Sequence, residues 1–69
     1  MEEQDNKERI LKGAEELFMR YGVRSVSMDD IARHLSISKK TIYHYFTDKD
    51  EIVTLVAIAH LSQEQKEFD

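Results

Sequence analysis

The sequence predicts an all-α fold, a small three-helix head followed by a fourth helix, and three observations carry that expectation. Apolar residues recur at helical spacing along most of the chain. Proline is absent, glycine occurs only twice and 35% of the residues are charged, a composition that favours helices over a β sandwich. Serine or aspartate stands at each break between the apolar stripes, where a helix N-cap belongs.

Residues from about Asp5 to Tyr21 read as the first helix. Ile10, Leu11, Ala14, Leu17, Phe18 and Tyr21 form one apolar stripe, so Tyr21 is expected in the core. Asp5 with Glu8 is a capping pair for its start, and Gly22 supplies a C′ glycine at its end. Gly13 falls inside the helix at a cost of about 1 kcal/mol against alanine, which a close helix crossing would justify. The acidic residues Glu2, Glu3, Asp5, Glu8, Glu15 and Glu16 form a solvated face.

Val23 to Val26 connect to the second helix, and both valines are expected to pack beneath it. Ser27 is its N-cap with Asp30 at N3, while Val26 and Ile31 hold the two positions of a hydrophobic staple. Asp29 and Asp30 suit the positive end of the helix dipole. Ile31, Ala32 and Leu35 make the buried face.

Only Ser36, Ile37 and Ser38 separate Leu35 from Lys39, which implies a sharp corner. Ser38 caps the third helix, and Ile37 with Ile42 forms a second staple. Ile42 and Phe46 fall one turn apart and pin the helix to the core; Lys40, Thr41 and His44 lie opposite, with Tyr43 and Tyr45 on the flanks. Ammonium, hydroxyl, phenol and imidazole groups together suit contact with phosphate. This is the helix-turn-helix plan, in which the second helix of the pair enters the major groove; the alternative reading of the same residues is a helical hairpin with no DNA role.

The fourth helix starts at Asp48, with Glu51 at N3 and Thr47 as the competing cap. From Ile52 to Leu61 it is apolar nearly all round: Ile52, Leu55, Val56 and Ala59 share one face, while Ala57, Ile58 and Leu61 lie elsewhere. A three-helix head covers one face only, so the pattern implies the front piece of a larger protein or packing against another chain. Residues 62–69 form a polar tail expected to fray. The domain reading is therefore a DNA-binding head over residues 1–47 and a connecting helix over residues 48–69.

Charge distribution agrees with this organisation. The net charge is −4, yet the segment from Arg33 to Lys49 carries +3, so the remainder carries −7. The positive segment coincides with the third helix and its flanks, where attraction to phosphate is needed. No cysteine is present, which excludes disulfides and thiolate zinc sites. His34, His44 and His60 are spread over three helices without metal-ligand spacing, and no nucleophile elbow or phosphate loop occurs, so neither a metal, a cofactor nor an enzymatic activity is expected. No apolar run reaches the ~18 residues of a membrane span, and the acidic start is unlike a signal peptide. These features place the chain in a cytoplasm, away from the membrane.

The run from Ile10 to Leu55 resembles the DNA-binding domain of the TetR family of bacterial transcriptional regulators, and the segments ILKGAEELFMRYG, SVSMDDIARHLSIS and KKTIYHYFTDKDEI carry the resemblance. The third segment is the most specific, with Phe46, Lys49 and Ile52 at fixed spacing after the third helix. The resemblance implies a homeodomain-like helix-turn-helix head, and a helix leading into an absent C-terminal domain that dimerises and binds a small-molecule effector. It also implies a repressor that holds a near-palindromic double-stranded DNA operator until ligand moves the fourth helix.

By position, Ser27, Lys39, Thr41, Tyr43, Tyr45 and Lys49 match places that contact phosphates or bases in the family. Lys40 and His44 face the same groove, and Ser38 at the cap completes the candidate DNA-binding set. Lys39 or Lys40 suits guanine O6 and N7, Thr41 a thymine methyl or a phosphate, and Tyr43, Tyr45 and Lys49 the backbone. Three residues depart from the family pattern: Ser36 where glycine is common, Lys40 where a small residue is common, and Tyr45 where histidine is frequent. A competing reading is a helical interaction module that docks a protein partner through Ile58 and Leu61.

Overall fold

The computed structural model describes the backbone of residues 2–68 and the side chains of residues 6–61. Among the described residues four α-helices follow one another: α1 (Glu2–Tyr21), α2 (Met28–Leu35), α3 (Lys39–Tyr45) and α4 (Lys49–Phe68), with a 3-10 turn over Val23–Ser25. Among the described residues there is no strand. The fold is thus all-α, with the helix-turn-helix pair formed by α2 and α3.

Helix α1 begins at Glu2, so Asp5 stands within it and not at its start. The Asp5, Glu2 and Glu3 side chains lie outside the described residues. At the other end the Gly22 amide donates to the Phe18 carbonyl (2.9 Å), and Gly22 takes φ 90°, a conformation that a Cβ would oppose. The chain then leaves the α1 axis, and the buried stripe ends at Phe18. Tyr21 lies beyond it, 58% exposed, and is not a core residue. Val23 is exposed as well. It lines a groove against α1 and α4, whereas Val26 alone is buried beneath α2.

Ile10, Ala14 and Phe18 of α1 meet Val26, Met28, Ile31 and Ala32 around α2, Ile42 of α3 with Phe46 at its C-cap, and Ile52 of α4 in one core. Burial of each large aliphatic or aromatic side chain contributes about 2 kcal/mol, enough for one core to hold four short interfaces. The close crossing anticipated at Gly13 is present. A Cβ there would stand 2.7 Å from Cδ2 of Leu35, so the glycine lets α2 approach α1.

Helix α2 ends in a Schellman turn. The Ile37 amide donates to the Ala32 carbonyl (3.0 Å) and the Ser36 amide to the Arg33 carbonyl (3.2 Å), with Ser36 itself left-handed at φ 57°, ψ 41°. The turn forms without glycine, at the conformational cost of a Cβ in that region. Ile37 then packs against the core and fixes the angle at which the chain enters α3.

Helix α4 starts where expected: the Glu51 amide donates to Asp48 Oδ1 (3.0 Å), while the Glu51 carboxylate accepts from the Thr47 amide (2.6 Å). Asp48, not Thr47, is the cap. Ile52 is fully buried and Val53, Leu55 and Val56 half-buried, but Ala59 is exposed and lines an open groove with Leu11 and Val56. Ile58 and Leu61 are 54% and 60% exposed. The helix continues through the polar tail to Phe68, although a fraying end was expected there. Among the described residues, no helix is long and apolar enough to cross a membrane.

Candidate nucleic-acid interface

Local chemistry positions each candidate residue. Ser27 caps α2 with a reciprocal pair of bonds: its Oγ accepts from the Asp30 amide (3.1 Å), and Asp30 Oδ2 accepts from the Ser27 amide (2.9 Å). The Ser27 amide and hydroxyl hold the Asp30 carboxyl below its ordinary value; burial opposes this, and Arg33 and Lys49 add to it. Lys49 is the first residue of α4 and is half-buried.

Ser38 caps α3 in the same manner. Its Oγ accepts from the Thr41 amide (3.1 Å) and shares a hydrogen with Thr41 Oγ1 (2.9 Å). Lys39 pairs with Asp29 of α2 at 3.2 Å, so the first turns of α2 and α3 are neighbours. Ser27, Asp29 and Lys39 thus bring the starts of α2 and α3 to one region.

Ile42 is fully inaccessible and Phe46 nearly so, which fixes the rotation of α3 about its axis. That rotation leaves Lys40, Tyr43 and His44 exposed, Tyr43 to 48%. Thr41 differs from the expected position opposite the core. It stands only a quarter-turn from Ile42 and is half-buried in a groove with Asn6, Ile10 and Leu35.

Tyr45 is half-buried and packs against the core, and its phenol oxygen accepts a bond from Asn6 Nδ2 of α1 (3.1 Å). An accepting phenol keeps its own O–H as a donor. The His44 and Tyr45 rings meet edge to face at 4.9 Å, and the Lys7 ammonium lies 5.8 Å from the Phe46 ring centre. The sequence gives no sign of the roles of Asn6 and Lys7, and it marks Asp29 only as a partner of its own helix dipole. Each reaches α3 from another helix, so no spacing within a segment announces it.

The grooves are open clefts between helices, and among the described residues no group of three or more histidine, cysteine, aspartate or glutamate side chains could hold a metal. What the surface offers is exposed hydroxyl, phenol, imidazole and ammonium groups around a short helix anchored by its apolar edge. These are the elements of a helix-turn-helix DNA-binding domain.

Comparison with known proteins agrees. The model of the family described as "Bacterial regulatory proteins, tetR family" matches residues 10–56, more than half of the chain. The chain belongs to that family, as the DNA-binding domain of a TetR-type transcriptional regulator. It is 35% identical over 57 residues to the HTH-type transcriptional regulator UidR of Escherichia coli strain K12, covering 83% of this chain and 29% of that protein. An HTH-type transcriptional regulator of Staphylococcus aureus strain USA300 is 40% identical over 48 residues, covering 70% of this chain and 26% of that protein. A third relative, an uncharacterized HTH-type transcriptional regulator of Mycobacterium tuberculosis strain CDC 1551, is 36% identical over 52 residues, or 75% of this chain and 22% of its own length. The chain thus spans under a third of the length of these relatives. No solved structure matches.

Proposed function

We propose that this domain is the operator-reading head of a ligand-responsive cytoplasmic repressor that binds a near-palindromic double-stranded DNA site as a homodimer. The observation that carries the DNA-contact assignment is the anchoring of α3 by Ile42 and Phe46, with Lys40, Tyr43 and His44 turned outward. In this reading Lys39 and Lys40 approach base edges, Thr41 meets a thymine methyl or phosphate, and Tyr43, Tyr45 and Lys49 grip the backbone with help from Ser27 and Ser38. His44 faces the same groove.

Residues 1–47 act as the head and residues 48–69 as the helix that links it to a dimerising, effector-binding domain. The greater length of the relatives supports that division, as do the uncovered Ile58 and Leu61 of α4. Two heads held at fixed separation read two half-sites, and a ligand that shifts α4 changes that separation.

A salt titration against a pool of random duplexes tests this. The expected result is enrichment of a near-palindrome, with log affinity falling as salt rises and a shallower slope for the Tyr43→Ala/Lys49→Ala variant. Absence of salt-dependent binding at low ionic strength, even with the chain tethered as a dimer, would overturn it. Exposure of Ile58 and Leu61 also favours a second reading, a helix that docks a protein partner. That reading predicts indifference to Tyr43 and Lys49 and sensitivity at Ile58 or Leu61.

A further inference from the structure

Within the cationic region around α3 one carboxylate stands out. Asp30 is engaged twice in the α2 cap, but Asp29 has no part in that pair of bonds. Its Oδ1 lies instead 3.2 Å from the ammonium of Lys39, the first residue of α3. Both side chains are substantially exposed, and an ion pair of this kind contributes at most about 1 kcal/mol to folding. Asp29 also faces the positive end of the α2 dipole, a contribution of the same small size, so its stabilising role is modest. A phosphate that approaches Lys39 also meets Asp29.

We propose that Asp29 is an internal competitor for phosphate: its carboxylate holds the Lys39 ammonium and limits the binding of this surface to arbitrary DNA. The inference rests on the DNA-contact assignment made above for Lys39. Neutralising a phosphate with lysine releases a condensed counterion and steepens the salt dependence by about one unit per contact. A lysine already neutralised by a carboxylate releases none until that pair breaks. Random duplex, which binds through phosphates, loses most from the competition. A site with favourable base contacts retains an additional source of affinity.

The test is binding of the intact chain to a mixed-sequence duplex over a series of salt concentrations, with Asp29→Asn, Lys39→Ala, the double variant and Glu8→Gln compared in parallel. Glu8 is an exposed carboxylate on α1 and controls for net charge. Asp29→Asn is expected to bind about 3–10-fold more tightly at low salt, with a slope steeper by about one. The gain should vanish in the Lys39→Ala background and be absent from Glu8→Gln. Equal or weaker binding by Asp29→Asn, or an equal gain from Glu8→Gln, would overturn the proposal while leaving the DNA-binding assignment intact. Persistence of the gain without Lys39 would also overturn it, because direct repulsion would then suffice. Failure of every protein to bind at any salt would reject the Lys39 assignment and this inference with it. Circular dichroism and the thermal midpoint report whether each variant folds.

Discussion

Leu35 occupies the space that a side chain at Gly13 would take: Cδ2, Cγ and Cδ1 of Leu35 lie 2.7, 3.1 and 3.3 Å from the position of a Cβ. Leu35 is the last residue of α2, one step before the left-handed Ser36, so the crossing of α1 with α2 and the turn into α3 are joined. Whatever separates α1 from α2 also moves the helix that presents Lys40, Tyr43 and His44.

Gly13→Val should accordingly destabilise the domain by about 2 kcal/mol, since overpacking outweighs the gain in helix propensity. For a domain of this size that is a fall of roughly 8–16 °C in the thermal midpoint. Shortening the obstructing side chain should recover part of it. A Gly13→Val/Leu35→Ala double variant is expected to lose less than the sum of the single changes, as urea unfolding of the four proteins would show. Additive losses would mean that the two sites do not meet.

The left-handed turn gives the opposite expectation. Ser36→Gly removes a Cβ from a conformation it disfavours and should stabilise the domain by about 1 kcal/mol. Its Schellman bonds involve backbone groups only, so they survive the change. Chemical denaturation should show the midpoint moving up, with the slope unchanged.

Much of this architecture was legible because it is local. The caps at Ser27, Ser38 and Asp48 each join residues three apart, and the structure contains all three. The staple at Ile37 and Ile42 and the apolar edge of α3 follow from spacing, whereas Gly13 only raises the question of a close crossing that the structure answers with Leu35. Depth was harder to read. Periodicity gives the direction of a side chain but not where its helix leaves the core, so it places Tyr21 and Ala59 too far inside and Thr41 too far outside. The Lys39–Asp29 and Asn6–Tyr45 contacts depend on how helices meet, and a single chain of letters carries no local sign of them.

Acid should loosen the start of α2. The Ser27 amide and hydroxyl hold the Asp30 carboxyl below its ordinary value in the folded chain. The carboxylate thus contributes stability that is fully present above the unfolded pKa and is lost as pH falls through the depressed folded value. In Asp30→Asn that share of the acid dependence should disappear, so its stability should converge on that of the parent protein as the pH falls below the ordinary value of 3.8. Ser27→Ala should cost about 1 kcal/mol near neutral pH through loss of the cap itself. Thermal unfolding from neutral pH to about pH 2 would check both.

Tyr45 separates stability from DNA contact. Its oxygen accepts from Asn6 and retains a proton to donate, whereas phenylalanine can do neither. Tyr45→Phe should therefore cost about 1 kcal/mol of stability and, if the phenol grips a phosphate, weaken duplex binding as well. Asn6→Ala removes the same internal bond but leaves the O–H available. The expected pattern is a similar loss of stability in the two variants, with a clear loss of duplex affinity only in Tyr45→Phe. Equal losses of affinity would make Tyr45 a residue that positions α3 against α1, and would move the backbone grip to Tyr43 and Lys49.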